Sequence, residues 1–209
     1  MLIIGLTGSI AMGKSTAGDY LVRRGIPLFN ADEVVHELYR DEAVDAVGAA
    51  FPGAIVDNRI DRAKLSELLI SDPEKISQLE AIVHPMVIAK RVAFIEKHRL
   101  LGAQMIVVDI PLLFEKQLQD SVDVILLMTA PAEVQAERVM KRPGMTLEKF
   151  AMIRAHQMDD EQKRQLADFV IDTNGTFDQT HKRLDSFLES LHDWPQKTQT
   201  PQTQLDDRP

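Results

Sequence analysis

GLTGSIAMGKSTAGDYL, residues 5–21, sets Gly8, Gly13, Lys14 and Ser15 at the spacing Gly-x-x-x-x-Gly-Lys-[Ser/Thr]. Glycines at such points let a backbone wrap close to a phosphate with its N–H groups turned inward. The run before it, LIIGLT (2–7), is almost wholly apolar, the pattern of a parallel strand buried on both faces. The run after it, KSTAGDYLVRRG, reads as a helix with Leu21 and Val22 turned inward and Gly25 as its stop. Strand, glycine loop and helix N-terminus together favour a bound anion, because the helix dipole and its open amides attract negative charge. Gly8, Ala11, Met12, Gly13, Lys14, Ser15 and Thr16 are therefore read as a nucleotide-binding loop. Lys14 supplies a point charge to the β- and γ-phosphates of a nucleoside triphosphate, and the Ser15 hydroxyl is a ligand for Mg²⁺.

The remainder of the chain is consistent with one good-sized α/β core carrying inserted lobes. It has 209 residues, of which 44 % are hydrophobic and 27 % charged. A net charge of −8 argues against a general nucleic-acid binder, which carries a basic face. An acidic chain that binds an anionic ligand must concentrate its cations locally. There is no cysteine, which excludes disulfides and thiolate metal sites and agrees with a reducing compartment. The apolar N-terminus lacks a basic leader region and is interrupted by glycines, and no apolar run reaches membrane-spanning length. The expected location is the cytoplasm, with neither membrane nor nucleic acid as partner.

Further strands are expected at IPLF (26–29), MIVVDIP (105–111), DVILLMT (123–129) and DFVIDT (168–173). Asn30 reads as the N-cap of a helix over ADEVVHELY. From there to about residue 100 the pattern is helical and without a convincing strand: a segment near 43–50, another capped by Asp61, and a long one from Pro73 to His98 that Pro85 should break or kink. Two more helices cover 130–142, opened by Pro131, and 146–158, capped by Thr146, and a last one follows from Thr176. From Pro195 the sequence PQKTQTPQTQLDDRP has one apolar side chain and reads as a disordered polar tail.

A phosphate loop serves switches, motors and kinases alike. A guanine-reading Asn-Lys-x-Asp is absent, and DTNG (172–175) lies too late in the chain to act as a switch element. A small kinase needs an acceptor site, a group to take the acceptor's proton and cations over the phosphates. Asp32 follows the second strand, where strand ends in open α/β sheets line the ligand crevice; a carboxylate complementing the helix dipole would occupy the same place. Arg138 and Arg142, four residues apart with Lys141 beside Arg142, share one helix face, and Arg154, Lys163 and Arg164 extend a basic surface over the next helix. That surface suits a lid over phosphates, or a merely solvated charged face. Asp109 closes the MIVVD strand, as a Mg²⁺-holding carboxylate or a turn residue does. His84 alone reads as structural.

Taken in order, GLTGSIAMGKST, NADEVVHEL, HP at 84–85, DIPLLFE at 109–115, VQAERVMKR, RAHQM at 154–158 and DFVIDTNG resemble the dephospho-CoA kinase family from residue 2 to about 190. The resemblance implies a three-layer phosphate-loop kinase fold with a five-stranded parallel sheet, the core spanning about 1–30, 101–137 and 166–194. It also implies a helical acceptor-binding lobe over about 31–100 and a helical lid over about 138–165. The implied reaction is transfer of the γ-phosphoryl group of ATP, with Mg²⁺, to the ribose 3′-hydroxyl of dephospho-CoA. Asp32 is then the base, Lys14, Arg138 and Arg142 the remaining catalytic residues, and Ser15 and Asp109 the metal ligands. The chain departs from the family pattern at Asn30, at Ser9, Ala11 and Met12 inside the loop, and at Thr173. A nucleoside or nucleoside-monophosphate kinase of the same fold is the alternative, and a nucleotide-binding regulator without transfer activity the reading from another class. The assembly expected is a monomer or small homo-oligomer.

Overall fold

The computed structural model describes residues 1–70, 72–192 and 194, so the proposed polar tail at 195–209 lies outside the described residues. In chain order the elements are β1 (Leu2–Thr7), α1 (Lys14–Arg23), β2 (Leu28–Asn30), α2 (Ala31–Leu38), α3 (Val44–Ala50), β3 (Ile55–Val56), β4 (Arg59–Ile60), α4 (Arg62–Ile70) and α5 (Pro73–Leu100). There follow β5 (Met105–Asp109), β6 (Val124–Thr129), α6 (Ala132–Met140), α7 (Leu147–Ala155), α8 (Asp160–Leu166), β7 (Phe169–Asp172) and α9 (Phe177–Ser190). By internal contacts the chain divides into two compact units, residues 30–97 and the remainder.

The larger unit is built on a five-stranded parallel sheet in the order β2-β5-β1-β6-β7. The apolar strands predicted for a doubly covered sheet explain its centre. Every residue of β1 and of β6 is buried, as expected where both faces are covered. On one face Ile4, Leu6, Val107, Leu126 and Met128 pack with Ala17 and Leu21 of α1 and Leu184 and Phe187 of α9. On the other, a Cβ added to Gly5 would lie within 3.1 Å of side-chain atoms of Leu113 and Val122. β1 pairs with β5 so that Leu6 stands opposite Asp109, and with β6 so that Leu6 stands opposite Leu126. That register brings the end of β1, where the glycine loop starts, level with the end of β5.

At the opposite end of the sheet the first strand amides need acceptors, since an unpaired buried N–H is costly. Two aspartates supply them. Ile3 N donates to Asp123 Oδ2 at 2.7 Å, and Ile125 N donates to Asp168 Oδ2 at 2.8 Å. Asp123 is almost completely buried.

The smaller unit has its own apolar cluster, formed by Leu38, Val44, Val47, Phe51, Ile60, Leu65, Leu79 and Val83 among others. Asn30 caps α2 as read from the sequence, its side chain accepting from Asp32 N and Glu33 N, and Asp61 Oδ1 accepts from Ala63 N and Lys64 N at the head of α4.

Several expectations need correction. Val22 is not turned inward but is 49 % exposed; the buried stripe of α1 is Ala17, Gly18 and Leu21. The second strand begins at Leu28, not Ile26. Ile26 N is spent on the Leu21 carbonyl, and Pro27 has no N–H to give. A two-residue hairpin, β3–β4, interrupts the helical region, turning through Asp57 and Asn58 with φ of 48° and 58°, the conformation of a type I′ turn. Pro85 does not break α5, which runs unbroken through it. Pro85 and Ala81 are both exposed, so the carbonyl that loses its N–H partner lies on a face open to solvent.

Asp123→Ala is expected to lower stability by about 1–3 kcal/mol, the cost of leaving a buried N–H unpaired, read as a lower urea midpoint at unchanged slope. Asp168 is exposed, and Asp168→Ala should cost less.

Candidate active site

The loop between β1 and α1 is shaped by close backbone approach. A Cβ on Gly8 would fall 2.6 Å from the Met128 carbonyl oxygen, so the loop leaves β1 flush against β6 and admits no side chain there. Gly13, the N-cap of α1, has φ 86° and backs onto the Thr173 side chain, 3.0 Å from where its Cβ would be. Between them Ala11 takes φ 60°, a left-handed conformation that costs a residue with a Cβ about 1–2 kcal/mol. Alanine is the smallest residue bearing that penalty. Met12 is buried to 3 % exposure and its N–H donates to the Ser9 carbonyl, so apolar burial anchors the tip that the strain would otherwise loosen.

Lys14 is the first residue of α1, and its Nζ lies 2.5 and 2.7 Å from the two carboxylate oxygens of Asp109. Both side chains are largely buried, at 14 % and 10 % exposure. The pair joins the loop to the end of β5, as the β1–β5 register requires. Ser15 is exposed beside it and Thr16 is half-buried. A hydroxyl and a carboxylate are hard oxygen donors, a set that suits Mg²⁺ when phosphate oxygens and water complete an octahedron. Among the described residues no cluster of three or more His, Asp or Glu offers an all-protein metal cage.

The arginines divide. Arg138, on α6, donates from Nη1 to Thr173 Oγ1 at 2.7 Å and from Nη2 to the Thr173 carbonyl at 2.8 Å. The Thr173 hydroxyl is within donor reach of the Met12 and Thr129 carbonyls, at 3.3 and 3.1 Å. Arg138 therefore braces the back of the loop through Thr173. Arg142 follows α6, is exposed, and makes no such contact. Lys141 donates to Glu137 at 2.6 Å, holding the Glu137 carboxyl below its ordinary range by that hydrogen bond and by charge.

Helix α6 and the helical segment after it reach the loop from another side. Gln135 Nε2 donates to the Ile10 carbonyl at 2.9 Å, and Ile10 N donates to Gln157 Oε1 at 3.2 Å. A cavity of about 390 Å³ lies beside these contacts, lined in part by Met12, Gln135, Arg154, Gln157 and Arg164. Arg164 bonds Asp160 and Thr129, each at under 3 Å. Lys163 is not part of a basic surface, as the sequence suggested. It is fully buried and lies 2.8 Å from Glu115 Oε1. Gln135, Gln157 and Glu115 are not singled out by the sequence reading, and Lys163 is read there as a surface cation. Helix α8, DEQKRQL, carries one apolar residue and gives no sign that its lysine is interior. Glu115 stood at the end of the DIPLLFE landmark, and this was its only signal.

Asp32 and His84 belong to the smaller unit. Asp32 is exposed in the first turn of α2, its N–H bonded to Asn30 Oδ1 at 3.0 Å, and His84 is exposed on α5.

Comparison with known proteins bears on this geometry. The family model described as dephospho-CoA kinase matches residues 2–179. The dephospho-CoA kinase of Rhizobium meliloti (strain 1021) is 50 % identical over 191 residues, covering 91 % of this chain and 98 % of the relative. That of Bartonella quintana (strain Toulouse) is 47 % identical over 192 residues, with the same shares covered. Among solved structures, one from Thermus thermophilus superposes with a TM-score of 0.76 at 36 % identity, over 91 % of this chain and 97 % of that one. Dephospho-CoA kinase from Campylobacter jejuni superposes at 0.67 and 25 % identity, over 90 % and 96 %. With a phosphate loop closed by Lys14 and Asp109 on a five-stranded parallel sheet, and matches spanning nearly its whole described length, this chain belongs to the dephospho-CoA kinase family.

Proposed function

We propose that the protein transfers the γ-phosphoryl group of ATP to the ribose 3′-hydroxyl of dephospho-CoA, giving coenzyme A and ADP, the final step of coenzyme A synthesis. The observation that carries the reading is the Lys14 ammonium held against both oxygens of Asp109 at the mouth of a glycine loop. The triphosphate lies along the loop amides from Gly8 to Ser15, at the N-terminus of α1, where the dipole offsets its charge in an otherwise acidic protein. Lys14 would turn from Asp109 toward the β- and γ-phosphates, and Asp109 and Ser15 would hold Mg²⁺, which would neutralise charge on the phosphate oxygens.

The acceptor belongs, on this reading, to the smaller unit of residues 30–97. Asp32 orients the 3′-hydroxyl. The hydroxyl oxygen attacks the γ-phosphorus as the bond to the bridging oxygen breaks, and the proton passes late to the Asp32 carboxylate. The transition state is loose, so positioning and charge compensation carry most of the catalysis. Arg142, exposed and with no side-chain partner among the described residues, is the arginine available to close over the transferring group, whereas Arg138 contributes by keeping Thr173 against the loop. Among the described residues no helix is long and apolar enough to cross a membrane, and we assign the enzyme to the cytoplasm.

ADP release measured with dephospho-CoA, AMP, uridine and water as acceptors should occur with dephospho-CoA alone; turnover with AMP or uridine instead would overturn the acceptor assignment. Asp32→Asn should lower kcat by about 10²- to 10⁴-fold, the usual worth of a positioned base, with the ATP dissociation constant within about twofold of wild type. Unchanged turnover would remove Asp32 from the mechanism.

A further inference from the structure

Lys163 is fully buried on a helix whose sequence is otherwise that of a solvated surface. Its Nζ lies 2.8 Å from Glu115 Oε1 and donates to Ser9 Oγ at 3.1 Å. The same Glu115 oxygen accepts from Met158 N at 2.8 Å, and one residue earlier Gln157 accepts from Ile10 N. Residues 157–163 are thus tied to residues 9 and 10, the part of the loop between Gly8 and the strained Ala11. A buried ion pair is weak evidence for stability, since apolar residues of similar volume often serve as well. An ammonium adds what a methionine at 163 would lack: a directed donor to Ser9 and a counter-charge for Glu115.

We propose that Lys163 is a positioning residue for phosphate binding. From α8 it fixes Ser9, and through Ser9 the course of the loop backbone, so that its amides stay turned toward the β- and γ-phosphates. This rests on the assignment of the loop as the triphosphate site. Lys163 acts through Ser9 and does not contact the phosphates. Nucleotide affinity and the seating of α7–α8 are then linked, and each strengthens the other by the same factor.

The test is calorimetric titration of ADP into wild type, Lys163→Met, Ser9→Ala and the double variant Lys163→Met/Glu115→Leu, alongside KM for both substrates. Lys163→Met should weaken ADP binding and raise KM for ATP by at least about tenfold, leaving KM for dephospho-CoA within about twofold. Ser9→Ala, which keeps the ammonium and its charge, should shift ADP affinity in the same direction by a smaller factor. The double variant removes the stranded carboxylate as well. It should regain thermal stability without regaining ADP affinity, which a purely structural role would restore. ADP affinity within about twofold of wild type in Lys163→Met overturns the proposal. Should that variant not fold, unchanged affinity in Ser9→Ala does so. ADP binding does not depend on the acceptor, so loss of affinity in Lys163→Met supports the proposal even if dephospho-CoA were not turned over by the wild type.

Discussion

The ion pair between Lys14 and Asp109 is where the fold and the chemistry meet. It exists because β1 and β5 are adjacent and in a register that ends them side by side. The apolar strands that produce this register are buried along nearly their whole length, and the loop takes its position from them. Lysine and aspartate are then held at low exposure next to a helix N-terminus, a setting in which charge–charge interaction is stronger than in open water. In a chain of net charge −8, the open amides and dipole at the N-terminus of α1 favour an anion locally, while solvent screens the diffuse negative field.

Around that pair the loop is braced from three directions. Thr173, held by two donors of Arg138, fills the space behind Gly13. Gln135 and Gln157 satisfy the carbonyl and amide of Ile10. Lys163 holds Ser9. Only Gly8 and Gly13 accommodate close contacts by having no side chain, and the remaining loop residues are not glycine. The bracing holds Ala11 in its left-handed conformation, and a loop fixed in advance needs less reorganisation to bind a ligand. Thr173 backs Gly13, and the buried Met12 packs at the loop's tip.

Much of this was legible in the residues. Period and composition located every strand of the large sheet, because strands buried on both faces stand out as apolar runs, and the caps at Asn30, Asp61 and Thr146 announced themselves by side-chain type. What escaped notice depends on tertiary context. The β3–β4 hairpin is too short to show a period, and its Asp57-Asn58 turn has no glycine to advertise it. Pro85 marks a helix break by rule, and only its exposure shows why α5 continues. Lys163 is the clearest case. Nothing in DEQKRQL distinguishes an interior lysine from its solvated neighbours, since the partner that makes its burial tolerable, Glu115, is 48 residues away in the chain. Arg138 and Arg142 looked equivalent by spacing, and the fold separates them because one lies opposite the Thr173 carbonyl and the other lies past the end of α6.

The most direct measurement is the dissociation constant for ATP in wild type and in Lys14→Met, by calorimetry under identical salt and Mg²⁺. If the ammonium held by Asp109 is the charge that meets the phosphates, the variant binds ATP at least about tenfold more weakly, a loss of about 1.4 kcal/mol or more. Equal affinity in the two proteins would contradict the account, for Lys14 would then be a structural partner of Asp109 and the triphosphate would bind elsewhere.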